Sequence, residues 1–337
     1  MTTTVTKVPL PRFEDLPLGK DDPPFSAWGL WENSQLGALN YLTNEVVRKT
    51  AKEEIQTGIR VGLNLPLDYV KPALLGRVAF EHTMINKAPR VINDDIVIHH
   101  LPGHGIADRL QITFNTQGSA QWDSFRHFAY QAEKKFYNGV TQDDIYASED
   151  TTVNGIDAWA AKGIAGRGVL VDYFSWANEN GKGYDATQAH AISLDDIKII
   201  IKEKNINLQT GDIFMLRTGY TSAYGQLSSE AKEEHKTSHS WPGIAQSSET
   251  VKWLWENQFA AVAADNPAFD CVPPVDPKYF LHPILLAGWG TTIGELFDLD
   301  ALAQTCKELN RWTFFLSSAP LNYTGVVASP PNVLAFF

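Results

Sequence analysis

The chain has 337 residues, with 28 Lys and Arg against 39 Asp and Glu, which gives a formal net charge of −11. This length suits one large domain or about two smaller ones, and the acidic balance without a Lys/Arg cluster argues against nucleic-acid binding. Two cysteines, Cys271 and Cys306, are too few for a disulfide framework or a cysteine zinc site. Histidine, carboxylate and amide side chains are therefore the candidates for metal chemistry.

The first residues are rich in proline and predict an extended arm over residues 1–25, ahead of a single domain over residues 26–337. This N-terminal segment has no apolar core of the kind that a signal peptide needs. No stretch of the sequence reaches the ~20 apolar residues of a membrane span. We therefore expect a cytoplasmic protein that does not act in a membrane.

Capping residues and apolar runs predict helices that alternate with short buried strands. The predicted helices are 44–58 with Thr43 as its cap and Gly58 at its end, 194–204 capped by Ser193, 248–257 beginning at Ser247 or Ser248, and 299–309 capped by Asp298. The predicted strands are 91–99, 109–114, 168–173, 212–218, 259–264 and 312–316. This order predicts an α/β fold with a mixed central sheet flanked by helices.

The densest polar segment of the chain runs from Asn115 to His127. On an extended chain Gln117, Gln121 and Asp123 would share one face, because alternate side chains point the same way. Carboxylate, amide oxygen and imidazole groups on one face could hold a hard divalent cation or position an acid/base pair. The alternative is a polar loop whose side chains satisfy nearby backbone groups.

Two further segments offer candidate site residues. His282 precedes an apolar run, and Glu295 follows a Gly-rich turn, so Glu295 is either an exposed helix start or a buried carboxylate with a raised pKa. Asp265 follows a predicted strand and either lines a site or forms a local turn. His235 and His239 have a spacing that can bind zinc on a helix, but their polar surroundings favour exposed surface.

Several segments resemble, in chain order, the cyclase family of kynurenine formamidase-like metal-dependent hydrolases. The resemblance rests on residues 28–43, 166–172, 211–219, 264–267, 282–296 and 320–336. The family signature is His-x-Gly-Thr-His-x-Asp-x-Pro-x-His, and Asp123 and His127 occupy its Asp and its last His. The first two histidines of the signature are replaced by Gln117 and Gln121, and a longer-chain branch of the family also has Gln at the second position.

The resemblance implies a single α/β domain with a mixed sheet or barrel-like β core, and a homodimer or higher homo-oligomer. It also implies a metal-assisted hydrolase that opens an amide, lactone or cyclic imide-like bond in a small aromatic or polyketide-like molecule. Gln117, Gln121 and Asp123 would hold the divalent cation. Their amide and carboxylate oxygens favour Mn²⁺ over Zn²⁺.

In this hypothesis His127 or His282 moves the proton, while Glu295 orients the histidine or acts as the base. The expected substrate-binding residues are Trp122, Phe125, Phe128, Tyr130, Tyr137 and Asp265, with ordinary core packing as the alternative for the aromatic ones. A second hypothesis keeps the fold but no metal, and makes the protein an acid/base cyclase or dehydratase in which the two glutamines bind a substrate carbonyl. A third hypothesis is a catalytically inactive binding protein.

Overall fold

The computed structural model describes residues 10–80, the backbone of residues 82–86, 89 and 93–97, and residues 114–337. The predicted strand 91–99 corresponds to the observed strand Asn93–Val97. The predicted strand 109–114 lies outside the described residues except for its last residue, which is not in a strand.

The described strands, in chain order, are β1 (Arg60–Gly62), β2 (His82–Asn86), β3 (Asn93–Val97), β4 (Gln121–Asp123), β5 (Ile164–Asp172), β6 (Ala191–Ile192), β7 (Ile213–Arg217), β8 (Gly243–Ile244), β9 (Ala261–Ala264), β10 (Thr292–Glu295), β11 (Thr313–Ser318), β12 (Ala328–Ser329) and β13 (Val333–Phe336). The described α-helices are α1 (Asn44–Glu54), α2 (Gln142–Ile145), α3 (Asp157–Lys162), α4 (Tyr173–Glu179), α5 (Leu194–Glu203), α6 (Tyr220–Gln226), α7 (Ser229–His235), α8 (Ser248–Asn257) and α9 (Asp300–Leu309). Among these described helices, none has the length and apolar composition that a membrane crossing requires.

A curled mixed sheet organises the domain, with the strand order β1-β13-β11-β5-β7-β9-β10-β4-β12. Its centre, β5-β7-β9-β10, is parallel, and the strands on either side of this centre are antiparallel to their neighbours. Every residue of β7, β9 and β10 is buried, as expected for strands covered on both faces. The fold is thus a single α/β domain in which the sheet forms a half-barrel flanked by helices.

Local capping explains where several helices begin. The side chains of Thr43, Ser193 and Ser247 each accept a hydrogen bond from a backbone N–H of the first turn that follows. The sequence prediction was wrong at two helix ends. α1 ends at Glu54 rather than Gly58, and α9 begins at Asp300, so that its cap position falls on Leu299 instead of Asp298.

The proline-rich N-terminal segment packs against its own chain over the residues that are described. Trp255 Nε1 donates a hydrogen bond to the Pro11 carbonyl oxygen at 2.9 Å, and the ring of Phe13 stacks on Phe25 with a centroid distance of 5.7 Å. Lys252 pairs with Glu14. The segment therefore lies along α8.

A π-helical segment, Pro283–Trp289, connects His282 to strand β10. It ends at Gly290, whose carbonyl oxygen accepts the N–H of Ala38 at 2.7 Å. Gly37, next to Ala38, has a φ of +51°, and a Cβ atom there would overlap the carbonyl oxygen of Gly290. Glycine at this position lets the N-terminal part of the domain close over the π-helical segment.

Candidate active site and metal centre

The site is built on the antiparallel pair β4 and β10, where Gln121 lies opposite Glu295 and Asp123 opposite Ile293. Because side chains alternate along a strand, Gln121 and Asp123 share one face. Gln121 Nε2 donates a hydrogen bond to Glu295 Oε2 at 2.7 Å and lies 3.4 Å from Asp123 Oδ1. The strand register thus brings an amide and two carboxylates together.

The loops on either side of β4 add a second amide and an imidazole. Gln117 Nε2 donates to Asp123 Oδ1 at 2.8 Å and lies 3.0 Å from His127 Nδ1. His127 Nε2 lies 3.8 Å from Asp123 Oδ2. Arg77 holds the Gln117 loop, since its Nη1 donates to the Gln117 carbonyl oxygen at 2.9 Å. The structure therefore brings together the residues singled out between Gln117 and His127.

His282 joins the cluster from the start of the π-helical segment. Its Nε2 lies 3.1 Å from Glu295 Oε1, and its Nδ1 lies 2.9 Å from Asp270 Oδ1. The other oxygen of Asp270 accepts the N–H of Leu281 at 3.0 Å. Asp270 carries no sequence signal that separates it from other loop aspartates, so it was not among the predicted site residues.

Three carboxylates of this cluster are almost fully removed from solvent: Asp123 and Asp270 are 0% exposed and Glu295 is 2% exposed. Burial, followed by the negative charge of Asp123, raises the pKa of Glu295 to about 7. Of the two alternatives for Glu295, the structure favours the buried carboxylate over the exposed helix start.

The two histidines respond to burial in opposite directions. Burial lowers the pKa of His127, although the charge of Asp123 opposes this effect. For His282, burial disfavours the charged ring, but the charges and hydrogen bonds of Asp270 and Glu295 outweigh it and raise its pKa well above the usual value. The cluster thus contains one imidazole that favours its neutral form and one that favours its cationic form.

The donor set fits a divalent cation. Asp123, His127 and His282 each offer a ligand atom, and these atoms lie within 4.8 Å of one another. Asp123 Oδ2 and Gln121 Oε1 are buried and have no hydrogen-bond partner among the described residues. Buried polar atoms are normally paired, so an unpaired carboxylate oxygen beside an unpaired amide oxygen indicates a place where a ligand completes the site.

An aromatic wall stands beside this cluster. The ring of Phe280 stacks on His282 with a centroid distance of 5.3 Å, and Phe128 contacts both rings edge-on at 5.5–5.7 Å. Phe128 and Phe280 are partly exposed, and 20% of the His127 side chain is exposed. Among the described residues, this side of the cluster is partly exposed to solvent. Phe280 was not among the predicted site residues.

The structure does not bring the other aromatic candidates to the cluster. Trp122 points to the opposite face of β4, where it packs against Phe297 and its Nε1 donates to Ser318 Oγ at 3.0 Å. Phe125 and Tyr137 are fully buried and pack against each other with a centroid distance of 5.0 Å. These contacts are those of ordinary core side chains.

Tyr130 and Asp265 are also committed to internal contacts. The hydroxyl of Tyr130 donates to the Pro24 carbonyl oxygen at 2.8 Å. Asp265 is 0% exposed and accepts hydrogen bonds from the N–H and hydroxyl of Thr218 and from the N–H of Gly219. Asp265 therefore ties the end of β9 to the end of β7.

The prediction that His235 lies on exposed surface was wrong. It is 8% exposed, and its Nε2 lies 3.0 Å from the hydroxyl of Tyr220. His239, four residues later, is exposed. The two rings are therefore in different surroundings, and the helical zinc pair that their spacing suggested is not formed.

The family model named Cyclase matches residues 42–271. A solved structure described as a novel cyclase has 30% sequence identity and a TM-score of 0.77, and covers 93% of this chain and 99% of its own. The chain belongs to the cyclase family. The resemblance seen in the signature segment is thereby confirmed, although Gln117 and Gln121 stand where the signature has histidine.

More distant members of the cyclase fold are isatin hydrolases. Isatin hydrolase A from Ralstonia solanacearum is 16% identical, with a TM-score of 0.53, and covers 82% of this chain and 91% of its own. Isatin hydrolase A from Labrenzia aggregata is 17% identical, with the same TM-score, and covers 87% and 97%. At these sequence identities the similarity shows a shared fold and nothing beyond it. No curated protein matches the chain in a sequence comparison.

Proposed function

We propose that the protein is a metal-assisted hydrolase that opens an amide, lactone or cyclic imide-like bond in a small aromatic or polyketide-like molecule. The observation that carries this proposal is the cluster in which Asp123, His127 and His282 offer ligand atoms close to one another, while Asp123 Oδ2 is buried and has no partner among the described residues. The shared fold with isatin hydrolases supports the same class of reaction.

Asp123, His127 and His282 would hold the cation, and His282 would give up its Nε2 proton to do so. The amide oxygen of Gln121, which has no partner among the described residues, would be a further donor. A bound divalent cation would supply polarisation of the substrate carbonyl and would stabilise the negative charge that develops on its oxygen. The carboxylate and amide oxygens in this set suit Mn²⁺, which we propose as the cation, and the two imidazoles also suit Zn²⁺. Gln117 serves this set indirectly, since its amide group donates to Asp123 and orients it.

Glu295 is the residue that moves a proton. It is buried, its pKa is about 7, and its two oxygens contact His282 and Gln121. A carboxyl group with a pKa near neutral can take a proton from a water molecule and return it to a leaving nitrogen or oxygen. Phe128 and Phe280 supply an apolar face for an aromatic ring on the partly exposed side of the cluster.

The direct test measures metal content and hydrolysis in the same preparation. Purified protein is expected to contain about one divalent cation per chain, to lose hydrolysis of aryl formamides, aryl lactones or cyclic imides after chelation, and to regain it with Mn²⁺. Full turnover by metal-free protein would contradict the proposal. Zn²⁺ in place of Mn²⁺ provides the comparison for metal preference.

A second candidate function has its own observation in its favour. Gln117 and Gln121 already donate hydrogen bonds to Asp123 and Glu295, so amide groups partly compensate the buried charge. In this alternative no metal is needed, and His127 and Glu295 catalyse a cyclisation or dehydration. Metal-free protein that converts a substrate without adding water would establish it.

We also propose that the protein acts in the cytoplasm and that, as the resemblance to the cyclase family implies, it forms a homodimer or a higher homo-oligomer. Light scattering of the purified protein would give the mass of the assembly. A monomer at micromolar concentration would contradict this part of the proposal.

A further inference from the structure

We infer that Asp270 is a positioning residue, which fixes the imidazole of His282 so that its Nε2 faces the cluster. The part of this inference that concerns metal affinity rests on the proposed function. The part that concerns the ring of His282 stands on the geometry alone.

The carboxylate of Asp270 holds two consecutive residues at once. Its Oδ1 lies 2.9 Å from His282 Nδ1, and its Oδ2 accepts the N–H of Leu281 at 3.0 Å. Asp270 is 0% exposed, so water does not compete for either oxygen. One side chain therefore fixes both the backbone that carries His282 and the rotation of its ring.

The backbone of Asp270 is itself firmly placed. The side chain of Asn266 accepts the N–H of Phe269 at 2.8 Å and donates to the Asp270 carbonyl oxygen at 3.3 Å. Strand β8 passes directly behind it, because a Cβ atom at Gly243 would overlap the Asp270 carbonyl group. Because the backbone of Asp270 is fixed in this way, its carboxylate can hold the His282 ring in one orientation.

The two ring nitrogens of His282 therefore have different partners. Nδ1 is committed as a donor to Asp270, and Nε2 is left to face Glu295 at 3.1 Å. A carboxylate on the far nitrogen of a metal-binding histidine selects the tautomer and makes the near nitrogen a better ligand. Asp270 is not one of the three residues that offer ligand atoms, so it acts through His282.

The test is Asp270→Asn, because asparagine offers one acceptor oxygen where His282 and Leu281 need two. Proton NMR of ¹⁵N-histidine-labelled protein should show a downfield proton on His282 Nδ1 in the original protein, assigned by its absence in His282→Gln. In Asp270→Asn this signal should shift or disappear. The affinity for Mn²⁺ should fall by about 10–100-fold, and kcat should fall with KM little changed.

Asp212→Asn is the matched control. Asp212 is also buried, and its two oxygens accept hydrogen bonds from Arg167 and from the N–H of Gln209. It lies just before the first residue of β7, whereas Asp270 comes after the end of β9, the parallel strand next to β7. This control should lose stability but keep the downfield signal and the Mn²⁺ affinity.

Two results would overturn the inference: the absence of a hydrogen-bonded Nδ1 proton in the original protein, or an unchanged Mn²⁺ affinity in folded Asp270→Asn. The first result needs no variant, so it decides the question even if Asp270→Asn fails to fold. If the original protein binds no Mn²⁺, the proposed function fails, and the NMR signal still decides whether Asp270 holds His282.

Discussion

Two groups of charged side chains at the central sheet are neutralised in different ways. Arg217, at the end of β7, donates to Asp172 at 2.9 Å and to Asp300 at 2.8 Å. In the cluster around Asp123 and Glu295 the carboxylates are almost fully buried, their described partners are amides and imidazoles, and one oxygen of Asp123 has no partner among the described residues. The countercharge of the first group is a permanent guanidinium, whereas that of the second is His282, an imidazole that can lose its proton.

This difference separates a structural network from a functional site. Asp172 and Asp300 stabilise the ends of their elements through an arginine that is present permanently. The negative charge of Asp123 instead disfavours that of Glu295, which a protein tolerates where the charge serves a ligand or a reaction. Substitutions in the cluster around Asp123 should therefore reduce activity more than stability, and substitutions in the Arg217 group should reduce stability more than activity.

The largest effect on activity is expected for Asp123→Asn. Hydrolysis should fall on the order of a thousandfold, because the variant loses the charged ligand of the cation. The free energy of unfolding of the metal-free protein should stay the same or rise, since one of two neighbouring buried charges is removed. Steady-state kinetics and urea unfolding of the same preparations test both statements, and a destabilised variant that keeps its activity would refute them.

The largest effect on stability is expected for Arg217→Met. The free energy of unfolding should fall by about 3–5 kcal/mol, because Asp172 is left buried without its countercharge. The kcat/KM of the folded protein should stay within about twofold of the original value, since Arg217 lies outside the proposed site. The double variant Asp172→Asn with Arg217→Met should recover part of the lost stability, and the comparison fails if it does not.

A smaller effect is expected for Phe280→Ala on the partly exposed side of the cluster. The KM for aryl substrates should rise by up to about tenfold, which corresponds to the loss of one aromatic contact, while aliphatic substrates change little. Phe315→Ala is the matched control, because Phe315 is also partly exposed and contacts an aromatic ring, that of Phe336. Equal effects of both variants on KM would remove Phe280 from the substrate site.

Much of the fold could be predicted from local signals. Ser193 and Ser247 mark the starts of their helices because a side-chain oxygen satisfies a free N–H of the first turn, which is a property of adjacent residues. The apolar runs at β7 and β9 identify buried parallel strands for the same local reason. The end of α1 was misplaced because the N–H groups of Thr57 and Gly58 donate to the Phe337 carbonyl oxygen rather than continue the helix, and the local sequence does not reveal that contact.

The candidate site was predictable only in part. The segment from Gln117 to His127 contains its own signal, since its polar residues are close in sequence. Trp122 was predicted to bind substrate, but side chains alternate between the two faces of a strand. Since Gln121 and Asp123 share one face of β4, Trp122 between them points to the other face. Asp270 reaches the cluster through tertiary packing around His282, and no pattern of neighbouring residues announces that contact. Phe280 lies only two residues before His282, so its closeness in sequence was a signal that could have identified it.

The π-helical segment Pro283–Trp289 has a consequence for how this chain can change in length. A π-turn contains more residues than an α-turn, and each residue of a regular helix turns the chain by about 100°. Deleting one residue between His282 and Thr292 would rewind this segment and rotate His282 away from Asp270, while Glu295 stayed fixed in the sheet. The thirteen-residue interval from His282 to Glu295 is therefore a fixed length, in which substitution is tolerated far better than insertion or deletion.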